Sequence, residues 1–222
     1  MASNVPDLKK YRQEKQQQAD QDFIELLECY NSWLKRNTNL REKVRAKHLF
    51  AELADQTVED LEEQPWKQYF EDWFAFDYIT IIGTRLFDMF VKENAKNLSP
   101  SKIQLSGLIL TAVLEPFQII DRNNNTILAT PLLGDDEKRL TSVYELDATS
   151  SETSHILART VHCGFEDRAF SPMVPLVLPE QHDIIDKWKS VSKEKEAENQ
   201  RLRFMKEHGA SWLTFAATRS SF

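Results

Sequence analysis

Residues 116–130, PFQIIDRNNNTILAT, divide the chain. Phe117-Gln118-Ile119-Ile120 and Thr126-Ile127-Leu128-Ala129 are short apolar runs rich in β-branched residues. Between them Asp121-Arg122-Asn123-Asn124-Asn125 suits a turn, because Asn and Asp side chains bond their own backbone and tolerate left-handed conformations. Two such runs around such a spacer predict a β-hairpin.

Downstream, further strands are expected near 141–146, 154–163 and 169–178, with polar breaks between them and Gly134-Asp135-Asp136 as a turn. Four or five short strands in roughly 60 residues suit a small antiparallel β module, an SH3-like or OB-like barrel. A last helix is expected over 180–208, packing through Ile184, Ile185, Trp188 and Val191. Past Val191 the run KEKEAENQRLRFMKEH reads as a solvated charged face. The end, Ser211-Trp212-Leu213-Thr214-Phe215, is apolar and isolated in sequence. Trp212, Leu213 and Phe215 either dock on the protein itself or form a partner-binding tail.

Upstream the period is helical. Phe23, Leu26, Leu27, Tyr30, Trp33 and Leu34 form one stripe of a helix over 6–36, whose residues up to Asp20 have little to bury. A second helix over 40–54 is expected to turn Leu40, Val44, Phe50 and Leu53 inward. Thr57 with Asp60 resembles a capping box opening a short helix. Residues 65–97, PWKQYFEDWFAFDYITIIGTRLFDMFVKENAKN, read as one central helix that is apolar around most of its circumference. Gly83 within it implies close approach of another backbone. Ser99-Pro100 opens a further helix carrying Ile103, Leu105, Leu108, Ile109, Ala112 and Val113. The expected class is α+β: a helical region over 1–115, a β module over 116–179, and a helix with an apolar tail over 180–222.

Composition bounds the function. A chain of 222 residues with two cysteines supports a core without disulfides, and Cys29 and Cys163 are expected as reduced thiols. The first residues lack a signal-peptide core and no apolar run reaches membrane-spanning length, so a cytoplasmic protein without membrane contact is expected. A net charge of −7 opposes binding to a nucleic-acid backbone over the molecule as a whole. The one basic cluster, Lys35, Arg36, Arg41, Lys43, Arg45 and Lys47, is a local exception. On a helix Arg41, Arg45 and His48 share a face. Arg41, Lys43, Arg45 and Lys47 are therefore the candidate phosphate contacts, against a bland reading as a solvated face balancing Glu59, Asp60, Glu62 and Glu63.

Catalytic constellations are sparse. At helical spacing Trp66, Phe70, Trp73, Asp77, Ile81, Thr84 and Asp88 lie on one side, placing Asp77 among aromatics as a candidate perturbed acid or a structural partner for a core Arg. Cys163 beside His162 suggests a thiol nucleophile, but neighbours on a strand point to opposite faces, leaving His155, His182 or another distant residue as the base. His155, His162, Cys163 and His182 lack close metal-ligand spacing, so no metal or other cofactor is expected. Five glycines build neither a dinucleotide fingerprint nor a phosphate loop.

Trp73-Phe74-Ala75-Phe76-Asp77, followed by Ile119-Ile120-Asp121 and Leu157-Ala158-Arg159, resembles uncharacterised bacterial proteins that often carry a SEC-C zinc-binding tail. The resemblance spans roughly residues 65 to 190 and implies an architecture and a bacterial source, without an activity. The zinc tail itself is missing, because nothing after Cys163 supplies a cysteine cluster. The expected function is a non-enzymatic adaptor that binds a protein partner through the β module or the tail. The alternative is a nucleic-acid-associated protein using the β module and the basic helix, and the third reading is a hydrolase or transferase around Asp77 or Cys163.

Overall fold

The computed structural model describes residues 7–123, 126–132, 134, 136–142, 153–180, 183–191 and 197–217. Helices α1 (Leu8–Asn37), α2 (Leu40–Ala54), α3 (Trp66–Phe76), α4 (Leu86–Asn94) and α5 (Pro100–Thr111) come first. Strands β1 (Leu114–Asn123), β2 (Thr126–Pro131), β3 (Lys138–Ser142), β4 (His155–Cys163), β5 (Glu166–Ala169) and β6 (Val174–Leu176) follow. Helices α6 (Asp183–Val191) and α7 (Ala197–His208) and a 3-10 segment, Gly209–Phe215, end the chain. The class is α+β, as the two sequence periods require.

Five strands close on one another in the order β1-β2-β3-β5-β4, with β4 returning to β1 and β6 added beside β4. One pairing, β3 with β5, is parallel, so the barrel is mixed where an all-antiparallel module was expected. β1 serves two neighbours: its first half pairs with β4 and its second with β2. A register shift between Ile119 and Asp121 bends it between them, and Ile120 there is half exposed. The hairpin predicted at 117–129 is β1–β2, with Asn124 and Asn125 outside the described residues; the strand expected at 141–146 overlaps the end of β3, and 143–146 lie outside the described residues.

β4 joins the two halves through strict alternation. Ile156 and Ala158 enter the barrel interior with Phe117, Ile127, Ala129 and Leu140. Leu157, Val161 and Cys163 belong to the larger core that runs through all the N-terminal helices. Arg159 shares their parity and therefore points away from the barrel, toward the helices. The polar first half of α1 also touches the β4–β5 hairpin: Gln16 donates to the Cys163 carbonyl at 3.0 Å, and Asp20 accepts two bonds from Arg168 at 2.9 and 2.8 Å. That segment is solvated on one side and a polar strut on the other.

The central helix expected over 65–97 is two helices separated by a turn. A β-branched run, Ile79-Thr80-Ile81-Ile82, ends in Gly83 at φ 81°, a conformation that favours glycine. Thr80 N–H and its hydroxyl both donate to the Thr84 carbonyl, at 3.0 and 2.7 Å, and Gly83 N–H donates to Thr80 at 2.9 Å. Gly83 thus makes a turn, and nothing lies within 4 Å of where a Cβ would be, so the expected close backbone approach is corrected. One helix face is also corrected in part. Phe50 is buried and Leu53 partly covered as expected, but Leu40 and Val44 are exposed, and α2 buries Ala46, Ala51 and Ala54 in their place. In α5, Leu105 and Ile109 are inside whereas Ile103 and Leu108 are half exposed. The helix expected over 180–208 is described as α6 and α7, and Met205 and Lys206 of the supposedly solvated run are buried. The side chains of Trp188 and Val191 lie outside the described residues.

Candidate functional site

Asp77 is the first residue past α3, where its N–H caps the helix by donating to the Trp73 carbonyl at 2.8 Å. Its carboxylate meets Arg159 of β4 in a two-pronged pair: Nη1 to Oδ1 at 3.1 Å and Nη2 to Oδ2 at 2.6 Å. Arg159 also donates to Asp72, one and a half turns back on α3, at 3.2 Å, and lies over the Phe76 ring. The Lys206 ammonium of α7 stands 3.6 Å from Asp77 Oδ1. The side chains of Arg159 and Asp77 are 0% and 1% exposed. This is a largely buried cluster of two cations and two carboxylates.

Burial is costly for each charge unless it is paired. Although burial works against the Arg159 charge, the carboxylates of Asp77 and Asp72 hold its pKa above the usual guanidinium range. Burial pushes the Asp72 carboxyl up to about 6, with Arg159 opposing and Asp77 reinforcing the rise. Burial likewise brings the Lys206 ammonium down to about 8 against the pull of Asp77. The cluster separates two clefts. Asp72 lines one of about 660 Å³, with Asn31, Lys35, Lys43, Gln68 and Pro172. Asp77 and Lys206 lie at the second, of about 680 Å³, with Trp73 and Tyr78 beside them and Leu49, Ile79 and Ile81 at its edge.

The turn after α3 is fixed against α2. Arg45 donates to the Tyr78 hydroxyl at 2.8 Å and to the Ile79 carbonyl at 3.3 Å. Glu42 accepts from the Tyr78 hydroxyl and from the Ile81 N–H, the latter at 3.2 Å. These bonds leave the side chains of Ile81 and Ile82 pointing outward, 77% and 69% exposed. Large aliphatic side chains so exposed on a braced turn are an observation that asks for a partner.

The basic residues of α2 differ in their surroundings, and Arg41, Arg45 and His48 are all exposed. Arg45 is engaged as described, Lys47 pairs with Glu62, Lys43 lines the first cleft, and Arg41 is exposed at the helix start. The apolar tail docks on the protein itself: Trp212 and Leu213 are 0% and 2% exposed, and Phe215 is partly covered against the same core. Cys163 donates to the Ala19 carbonyl at 3.3 Å, and burial raises its pKa to about 11, which keeps it a thiol at neutral pH. His162 meets Asp167 on the outer surface at 3.0 Å, and His155 meets Ser154 at 2.9 Å, so neither serves Cys163. His182 lies outside the described residues.

Among the described residues no group of three His, Cys, Asp or Glu is placed to hold a metal, and no helix is long and apolar enough to cross a membrane. Asp77 was found by its aromatic surroundings and Arg159 only through the resemblance, although one Arg inside the apolar run ILARTV is itself a signal. Lys206 gave no signal in a run full of charges. Compared with known proteins, the chain matches no family model, no curated protein and no solved structure.

Proposed function

We propose that this protein is a non-enzymatic adaptor that docks a protein partner in the cleft between α2, the 79–85 turn and the C-terminal segment. The observation that carries the reading is the exposed isoleucine pair, Ile81 and Ile82, on a turn held by Glu42 and Arg45, with Ile81 lining a cleft of about 680 Å³. Such a cleft lies within the usual range for ligand sites. Burying two isoleucines contributes roughly 3–6 kcal/mol before association costs. Asp77 does not favour the hydrolase or transferase reading, since both of its oxygens are occupied by Arg159. The tail contributes from inside, by shaping the cleft through Ser211 and the packing of Trp212.

The test is recovery from native cells of the full chain and of an Ile81→Asp/Ile82→Asp variant with unchanged circular dichroism. A protein recovered with the parent chain and lost from the variant supports the reading; identical recovery removes it. The nucleic-acid reading is favoured by the closed five-stranded barrel, an architecture used to bind oligonucleotides. Against it, Phe117 is the one aromatic in β1–β3 and it fills the barrel interior, leaving no stacking platform on those strands. Nucleic acid retained at low salt and released by nuclease would reverse this preference. We also propose that the resemblance to the SEC-C-associated proteins reflects shared descent. It is supported by the meeting of two of its three motifs, Trp73–Asp77 and Leu157–Arg159, in a buried ion pair.

A further inference from the structure

Lys206 is the member of the cluster whose ammonium lies at the second cleft with donors to spare. Its ammonium carries three donors and, among the described residues, is paired with Asp77 alone, at 3.6 Å, an acid it shares with Arg159. The residue is 9% exposed and lines the second cleft. Arg159 from β4 and Arg85 at the start of α4 act on it as like charges, against Asp77 and the more distant Asp72 of α3. Arg85 itself has a buried Nε without an acceptor among the described residues. The acids at the mouth, Glu52 of α2 and Glu207 of α7, are exposed to water. The neighbouring Arg45 is already committed to Glu42, Tyr78 and Ile79.

We infer that Lys206 anchors a carboxylate of the docked partner, a peptide segment that sets an Asp or Glu beside apolar side chains resting on Ile79, Ile81 and Leu49. This rests on the adaptor reading and deepens it. The spare donors of the Lys206 ammonium at the cleft suit an anion, while the aliphatic edge suits apolar neighbours. A peptide carboxylate also stabilises the protonated amine, so docking takes up protons near pH 8, where the free amine is half neutral.

The probe is a randomised octapeptide library selected on the full-length protein. The expected result is enrichment of sequences with an acidic residue flanked by apolar ones at pH 7. That acidic preference weakens as the pH rises beyond 8, is kept by Lys206→Arg and is lost by Lys206→Met. The pH series uses the unaltered chain and therefore stands even where a variant misfolds. Apolar sequences enriched without acidic preference, and abolished by Ile81→Asp, overturn the carboxylate anchor and leave the docking cleft intact. Absence of any enrichment that depends on Ile81 overturns both.

Discussion

Arg159 carries its charge with no exposure to solvent because one helix presents two carboxylates to it. Removing one partner of such a pair strands the other, a loss of about 3–5 kcal/mol. Arg159→Met is therefore expected to lower the unfolding free energy by that amount, and adding Asp77→Asn to restore much of it, in urea titrations of the four members of the cycle. Asp72 gives the pH dependence. Its folded pKa of about 6 lies above the ordinary 3.8, so its contribution is fully present below pH 4 and is lost as pH rises through 6. The stability gap between the parent chain and Asp72→Asn should shift by on the order of 3 kcal/mol in favour of the parent on going from pH 7 to pH 4. Lys206 runs the other way, its contribution being lost as pH falls through about 8. Of this cluster Asp77 was legible in the sequence, since a carboxylate among aromatics needs a partner. Which partner was not, because Asp77, Arg159 and Lys206 are joined by a tertiary arrangement and no helical or strand period relates them.

The 79–85 turn is the element on which the functional reading depends, and it is also where the sequence reading failed. Apolar residues continue through Phe76, Tyr78, Ile79, Ile81 and Ile82, and apolar continuity reads as one buried helix. Four successive residues with stiff side chains, followed by glycine, instead favour an extended turn, and the isoleucines face water. Gly83→Ala is expected to cost about 1 kcal/mol through its positive φ alone, because the space for a Cβ is open. Gly164→Ala should cost more, since at φ 68° the new carbon would also meet Gln16 Oε1 at 2.7 Å. Thermal unfolding of the two variants side by side separates backbone strain from steric overlap. The hairpin at β1–β2 was legible because its turn chemistry is local. The closure of β3 on β5 was not, because a parallel pair joins residues distant in sequence and leaves no local pattern.

At the scale of the molecule, helices and barrel hold together through β4, buried on both faces, and through the C-terminal segment, which lays Trp212 and Leu213 into the core of the first half. Trp212→Ala is expected to destabilise the whole chain by about 3–5 kcal/mol, read as a shifted midpoint of one unfolding transition. A tail that served only as a recognition peptide would leave stability unchanged. The α+β class followed from the change of period near residue 116. The sharing of one core by helices, β4 and tail depends on packing, which composition and spacing do not encode. The most direct test of the docking cleft is a photo-reactive phenylalanine at position 81, compared in native cells with the same group at position 8, an exposed site at the far end of α1. A discrete protein adduct formed from position 81 and not from position 8 is the predicted result; equal labelling at both, or none at 81, would contradict it.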